Sequence, residues 1–382
     1  MRVPRIRVDG FNNNFEKKTF GEIVRSISTR MYIKSVVSDL GEYEVIQQGD
    51  TPILGYSNDQ PFEKYKSVIL FGDHTLSLYR PKAPFLLATD GIKILQSTIL
   101  KRDYLYYLTQ NYIPKSQGYK RHYSVLKQVF VNYSRDSSEQ SAIGSFFRTL
   151  DNLLTSYKDN LTNYQSLKAT MLSKMFPKAG QTVPEIRLDG FEGEWEKSKL
   201  KDVAHRVQGN DGRMDLPTLT ISASGGWMNQ IDRFSANIAG KEQKNYTLLK
   251  KGELSYNHGN SKLAKYGVVF ELQDYEEALV PKVYHSFRVN QLADAKFIEI
   301  MFSTKIPDRE LGKLVSSGAR MDGLLNISFD DFMNITIIIP TLEEQQAIGA
   351  YFSNLDKLIA AHQEKISQLE TLKKKLLQDM FI

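Results

Sequence analysis

The residues best equipped for chemistry in this chain form loops of hydrogen-bond donors. Ser116-Gln117-Gly118-Tyr119-Lys120-Arg121-His122-Tyr123 sets amide, hydroxyl, ammonium, guanidinium and imidazole groups on a glycine hinge. Such a set suits phosphate oxygens and base edges better than bond cleavage. Around it, from Lys101 to Arg135, seven basic residues interleave with eight aromatics, seven of them Tyr. Basic groups neutralise phosphate, and Tyr rings and hydroxyls reach bases or phosphates. Lys115, Tyr119, Lys120, Arg121 and His122 are therefore candidate nucleic-acid contacts. Later in the chain, Ser316-Ser317-Gly318-Ala319-Arg320 offers a glycine-flanked Arg320 suited to a phosphate or to a guanine edge as a bidentate pair. Ser255-Tyr256-Asn257-His258-Gly259-Asn260-Ser261-Lys262, followed by Lys265 and Tyr266, adds Tyr256, Asn257, Lys262 and Lys265 as groups that can read a major groove. A polar surface turn has the same composition, and for this second set both readings stand. The matched placement of the Lys120-Arg121 and Arg320 loops favours binding.

Catalytic constellations are missing. None of the 12 prolines adjoins another, which excludes an Asn-Pro-Pro or Asp-Pro-Pro loop for amino-group methylation, and there is no G-x-G-x-x-G or G-K-[ST] element for a nucleotide. The six histidines, at 74, 122, 205, 258, 285 and 362, include no H-x-x-x-H pair, and Cys is absent, so neither a metal site nor a disulfide is expected. Pro307-Asp308-Arg309-Glu310-Leu311-Gly312-Lys313 holds the letters of a nuclease Asp/Glu/Lys set. Its acidic pair is too close for the strand-turn-strand spacing, and the stretch reads as the start of a solvated helix. The chain is expected to hold no cofactor and to be no enzyme by itself.

The elements that must position these loops come in two copies. VPRIRVDGF at 3–11 returns as VPEIRLDGF at 183–191, an offset of 180, and EQSAIGSFFRTLDNLL at 139–154 returns as EQQAIGAYFSNLDKLI at 344–359, an offset of 205. Between these borders the interiors, 28–125 and 208–325, show no alignable similarity, and the second module is about 25 residues longer. The repeated closings read as helices with a 3-4 heptad seam: Leu154, Leu161, Lys168 and Met175 answer Ile359, Ile366, Lys373 and Met380 at position a. Each helix would be about 55 Å long at 1.5 Å per residue. Lys at one a position in both copies is a register device or a snorkelling seam-edge residue. The simplest packing is an antiparallel coiled coil with pseudo-two-fold symmetry. The interiors read as mixed α/β, with short strands at 53–56, 67–71, 85–88, 268–272 and 336–339 and helices at 97–110 and 295–304. This gives an α/β (α+β) fold of four parts: a domain at 1–137, a helical spacer and linker at 138–182, a domain at 183–341 and a helical spacer at 342–382. The net charge of +6 comes from residues 1–180, the rest being slightly acidic. With no long aliphatic run and no apolar leader, a soluble, cytoplasmic chain that does not enter membranes is expected.

The whole layout resembles the specificity subunit of type I restriction-modification systems. The residues that carry the resemblance are the openings Ile6 to Glu16 and Ile186 to Glu196, the S-G-A-R and L-N-I-S of Ser317 to Ser328, the strand-to-helix join Ile337 to Ile348, and the paired long helices. The resemblance implies two target-recognition domains, each reading one half of an asymmetric, bipartite site on double-stranded DNA, with the helices setting the gap. It also implies two methyltransferase (modification) subunits as partners, which bind S-adenosylmethionine and methylate adenine at N6, and two restriction subunits, using ATP and Mg, that can join them. The first strand-to-helix join departs from the pattern, with Ser134-Arg135 where the second has Pro340. Rival readings are a helical scaffold that binds only proteins, the recognition subunit of a related bifunctional restriction enzyme, and an autonomous nuclease, the last weakened by its missing acidic motif.

Overall fold

A computed structural model describes residues 4–34, 36–118, 120–234, 240–259, 261–315 and 324–381. The chain divides into two compact units, Met1–Asn160 with His362–Ile382, and Leu161–Ala361. Each long helix, read from the sequence as a separate spacer, therefore starts in one unit and ends in the other.

In the first unit the order is β1 (Glu16–Thr19), α1 (Phe20–Ile23), β2 (Arg25–Ile27), β3 (Tyr43–Ile46), β4 (Ile53–Ser57), β5 (Val68–Gly72), β6 (Leu78–Tyr79), β7 (Phe85–Leu87), β8 (Ile92–Gln96), α2 (Arg102–Tyr112), α3 (His122–Leu126), β9 (Phe130–Tyr133) and α4 (Ser137–Lys174). One sheet runs β2-β8-β5-β6, another β4-β3-β7 with β3 and β7 parallel, and β1 pairs with β9. The central strand β5 is VILFG with every residue buried, as a strand covered on both faces should be. Helix α2 starts later than the sequence suggests, because the Ser97 hydroxyl accepts from the Ile99 and Leu100 amides and donates to the Ile23 carbonyl, holding a turn there.

The second unit repeats this plan with other residues. Its elements are β10 (Glu196–Lys199), α5 (Leu200–Val203), β11 (Ala204–Arg206), β12 (Leu219–Ser222), β13 (Gly226–Asn229), α6 (Gln230–Phe234), β14 (Thr247–Lys250), β15 (Leu254–Asn257), β16 (Val268–Glu271), β17 (Glu277–Val280), β18 (His285–Val289), α7 (Ala295–Ser303), α8 (Asp308–Leu314), α9 (Phe329–Met333), β19 (Thr336–Ile339) and α10 (Leu342–Phe381). The sheet β11-β18-β15-β16 has the order of β2-β8-β5-β6, and β10 pairs with β19 as β1 pairs with β9. The hairpin β12-β13 stands where β3-β4 stands, and Thr218 just before it bridges Leu279 in parallel, as β3 pairs with β7. Interiors without sequence likeness thus share one strand plan. The added length falls between β11 and β15, between β15 and β18, and most of all between α7 and β19.

The repeated ends are explained by where they dock. Arg7 of the first opening donates from Nε and Nη2 to the Glu139 carboxylate at 2.7 and 2.9 Å, and Arg187 of the second does the same to Glu344 at 2.8 and 2.6 Å. Both carboxylates are buried. Beside them Gln140 accepts from the Lys101 amide and donates to the carbonyls of Ile99 and Ser134, and Gln345 repeats this with Asp294, Leu292 and Pro340. A buried carboxylate and a buried amide have few satisfactory arrangements, so opening and helix start keep their sequences together. The first join carries one additional residue: Ser134 takes the place of Pro340, Asp136 that of Thr341, and Arg135 is the extra one. Asp136 then caps α4 by accepting from the Ser138 and Glu139 amides.

Along both long helices every a and d residue of the seam is buried or half-buried. In the first unit Phe147 meets Phe381, Asp151 meets Lys373 and Tyr157 meets His362, so the end of α10 runs antiparallel to the start of α4. The a-position lysines are ion-paired rather than snorkelling. Lys373 reaches Asp151 at 2.5 Å, where Tyr107 Oη and Arg80 also bind, and in the second unit Lys168 reaches Asp356 at 2.5 Å.

Candidate nucleic-acid interface

In each unit the hairpin turn, the turn after the central strand and the segment following the sheet's helix are brought together. In the first unit these are the turns β3-β4 and β5-β6 and the segment between α2 and α3. The Gln48 side chain accepts from the His74 amide at 3.1 Å, and the Gly49 amide donates to Ser77 Oγ at 3.0 Å, joining the two turns. Asp73, only 2 % exposed, holds the third. Its carbonyl accepts from the His122 amide at 2.9 Å and lies 3.0 Å from His122 Nδ1, while its carboxylate accepts from the Tyr123 amide at 2.7 Å with Lys93 Nζ 3.6 Å away. The Gln117 amide donates to His122 Nε2 at 3.0 Å, which makes Nδ1 the protonated nitrogen. Gly118 has φ +78, a backbone conformation that favours glycine, so the chain turns sharply there.

This geometry sorts the first set of candidates. Lys115, Lys120 and Arg121 are exposed, and the Arg121 pair with Asp90, at 3.4 Å between two well-solvated side chains, is a weak tie that leaves the guanidinium available. Tyr119 lies outside the described residues. His122 is corrected: its ring is fully buried and both nitrogens are engaged, so it anchors the loop and cannot touch a ligand. The aromatic interleaving is corrected as well. Tyr104, Tyr107 and Tyr133 are buried, and burial pushes the Tyr104 and Tyr107 hydroxyls far above the usual phenol range. Tyr104 accepts from the Ser134 amide and Tyr107 donates to Asp151, so these rings fasten α2 to the strand-to-helix join and to α4.

In the second unit the turn β12-β13 faces the loop between β15 and β16 across a cleft of about 440 Å³, lined by Ser222, Ser224, Arg233, Asn257, Ser261 and Lys262. Asn257 Nδ2 donates to the Ile221 carbonyl at 3.2 Å and its Oδ1 accepts from the Gly259 amide at 3.1 Å, which aims the loop at the hairpin. Lys262 and Lys265 are exposed, the latter over the Tyr266 ring at 5.2 Å. Tyr256 is corrected like His122: it has no exposed surface, stacks on Phe332 with centroids 4.4 Å apart, and donates to the Tyr266 carbonyl. Arg320 lies outside the described residues. Leu324, four residues on, bridges Gly259, and the Leu325 amide donates to the His258 carbonyl.

Sequence reasoning missed Gln48, Lys93, Ser222, Ser224 and Arg233. No local signal marks them, and only the shared strand plan, which brings two hairpin turns to equivalent places, reveals them. Among the described residues no cluster of His, Asp or Glu could hold a metal ion, and no helix is long and apolar enough to cross a membrane. The arrangement offers cations, amides and hydroxyls on loops over rigid sheets, which is equipment for binding.

Comparison with known proteins bears on the same region. Residues 192–371 match the profile of the family described as type I restriction modification DNA specificity domain. The fold is similar to that of the type I restriction-modification system S subunit from M. genitalium, with a TM-score of 0.63 at 14 % identity over 100 % of this chain and 99 % of that one. A weaker likeness, TM-score 0.42 at 14 % identity over 96 % and 95 % of the two chains, is to the HsdS subunit from Thermoanaerobacter tengcongensis. Among curated protein sequences none matches.

Proposed function

We propose that the chain, whose residues 192–371 match the profile of type I restriction modification DNA specificity domains, is as a whole the DNA sequence-recognition subunit of a type I restriction-modification complex. The observation that carries this reading is the pairing of one strand plan with two unlike loop sets. Both units present converging loops over the same sheet, yet Lys115, Lys120 and Arg121 have no counterparts by sequence in Asn257, Lys262 and Lys265. Two such readers on a common frame suit a bipartite, asymmetric site, since a palindrome would call for like loops. The helices α4 and α10 fix the gap between the halves. Chemistry belongs to partners: two methyltransferase subunits carrying S-adenosylmethionine for N6 methylation of adenine, joined by restriction subunits that use ATP and Mg.

The test is the salt dependence of binding by the chain assembled with its methyltransferase partner on methylation-mapped DNA. Each phosphate contact contributes about −0.9 to the slope of log K against log salt, so Lys120→Ala/Arg121→Ala should flatten the slope by about 2. A flat slope for the unaltered chain would sink the DNA reading and leave a protein-binding scaffold.

A further inference from the structure

His258 is 5 % exposed, and both of its ring nitrogens face backbone carbonyls. Nδ1 lies 2.7 Å from the Leu325 oxygen and Nε2 lies 2.8 Å from the Val283 oxygen. Carbonyl oxygens only accept, so both nitrogens must carry protons, and only the imidazolium form has both. A neutral ring would set one lone pair against an oxygen at hydrogen-bond distance inside the protein, where an unmatched polar contact is costly. We propose that His258 is a cationic clasp, a positioning residue whose protonated ring ties the chain at Leu325 and the turn at Val283 to the recognition loop of the second unit.

From β18, the His285 ring stacks on His258 with centroids 4.7 Å apart and planes 13° apart. Burial pushes His285 down to about 4, so it stays neutral, and its Nε2 faces the Ile327 oxygen at 2.9 Å. From β15, Tyr256 lies 5.9 Å away, and Asp308 is the acidic charge acting on its hydroxyl. From β11, Arg206 is a like charge that pushes His285 down and sits over Phe329 at 4.4 Å, so the two carbonyl oxygens must hold the His258 charge against it. Among the described residues neither histidine is paired with a carboxylate. The charge is held by two carbonyl dipoles and by flanking rings. The clasp bears on recognition because His258 lies between Asn257 and Gly259, which line the cleft, and because its own carbonyl accepts from the Leu325 amide. Loss of a proton as pH rises would undo the bond to one of the two carbonyls and loosen that loop.

The full chain, labelled uniformly with nitrogen-15, tests this by nitrogen-proton correlation spectra of its histidine rings and backbone amides from pH 6 to 9, with His122 as internal reference for a neutral ring. His258→Gln assigns the signals, and His285→Gln, which perturbs the stacked neighbour, serves if the first variant does not fold. The expected result at pH 7 is two protonated nitrogens for His258 and one for His122, with faster Leu325 amide exchange at high pH as the His258 pattern is lost. An unprotonated ring nitrogen on His258 at pH 6 to 7 would overturn the clasp. Its effect on binding rests on the DNA-recognition reading: from pH 6.5 to 8.5 the unaltered chain should lose about tenfold in DNA affinity, and His258→Gln should show no pH dependence. Equal pH dependence in both would overturn the role in positioning. Absence of DNA binding would instead sink the DNA reading, while the spectra still decide the clasp.

Discussion

The two units solve one anchoring problem with opposite chemistry. In the first, a loop is held by an acid: the Asp73 carboxylate takes the Tyr123 amide, and the Asp73 carbonyl takes a neutral His122. In the second, the loop is held by a base: His258 stands between two carbonyls. Both anchors follow the central strand of equivalent sheets, β5 and β15, so the strand plan fixes where an anchor must be while leaving open what it is made of. The frame behaves differently. There the two units use the same residue types at the same places, Arg7 with Glu139 and Arg187 with Glu344, since a bidentate pair around a buried carboxylate tolerates little change. Variation is permitted where loops can re-form their bonds, and repetition is enforced where charge is buried.

The sharpest way to break this comparison is to unpair the frame. Arg187→Ala leaves the Glu344 carboxylate buried and unmatched, and should destabilise its unit by about 3–5 kcal/mol, with a like loss for Arg7→Ala. Thermal unfolding followed by calorimetry should show both. A much smaller cost in one unit would mean that the clamps are not equivalent. A lesser asymmetry lies in the glycine that each helix start repeats. A Cβ on Gly144 would meet Asp103 Cβ at 2.9 Å and the Tyr104 backbone nitrogen at 3.1 Å, whereas on Gly349 the nearest atom is a carboxylate oxygen of Asp294 at 3.2 Å. Gly144→Ala should therefore cost about 1–3 kcal/mol from crowding. Gly349→Ala should cost less, because about 1 kcal/mol of helix propensity offsets a contact to a single side-chain oxygen, the Asp294 Oδ1 that caps α7. The smallest effects belong to the seam. Lys373→Met, removing a half-buried cation from Asp151, should cost about 1 kcal/mol, and Lys168→Met, opposite a more solvated Asp356, half that or less. Denaturant midpoints of the two variants, compared side by side, check the order.

What could be read from the sequence follows the same division. The openings, the helix starts and the 3-4 seam were legible because each rests on contacts that repeat or on spacing along one helix. The strands at 53–57, 68–72, 268–271 and 336–339 were legible from β-branched and aromatic runs. The common strand plan of the interiors was not, because it is made of pairings such as Arg25 with Gln96 and Ala204 with Val289, which share no residue types. Among the candidate contacts, Lys115, Lys120, Arg121, Lys262 and Lys265 sit on the surface as a charged side chain must, whereas His122 and Tyr256 carry polar atoms that can serve either solvent or a backbone partner. Their types alone do not tell a reader from an anchor. The tyrosines of α2 mislead for that reason: in composition they look like a stacking surface, and in the fold Tyr104 and Tyr107 are a floor for helices.

The first unit also has a history that its place in the chain conceals. Phe381 is fully buried beside Tyr104 and Phe147, and its carbonyl accepts from the Tyr112 hydroxyl. These partners leave the ribosome early, and Phe381 follows only after all of the second unit has been made. The core of the N-terminal unit is therefore completed only when the end of the C-terminal helix has been synthesised. The second unit draws on no residue beyond Ala361, so its whole chain has been made before Phe381 emerges.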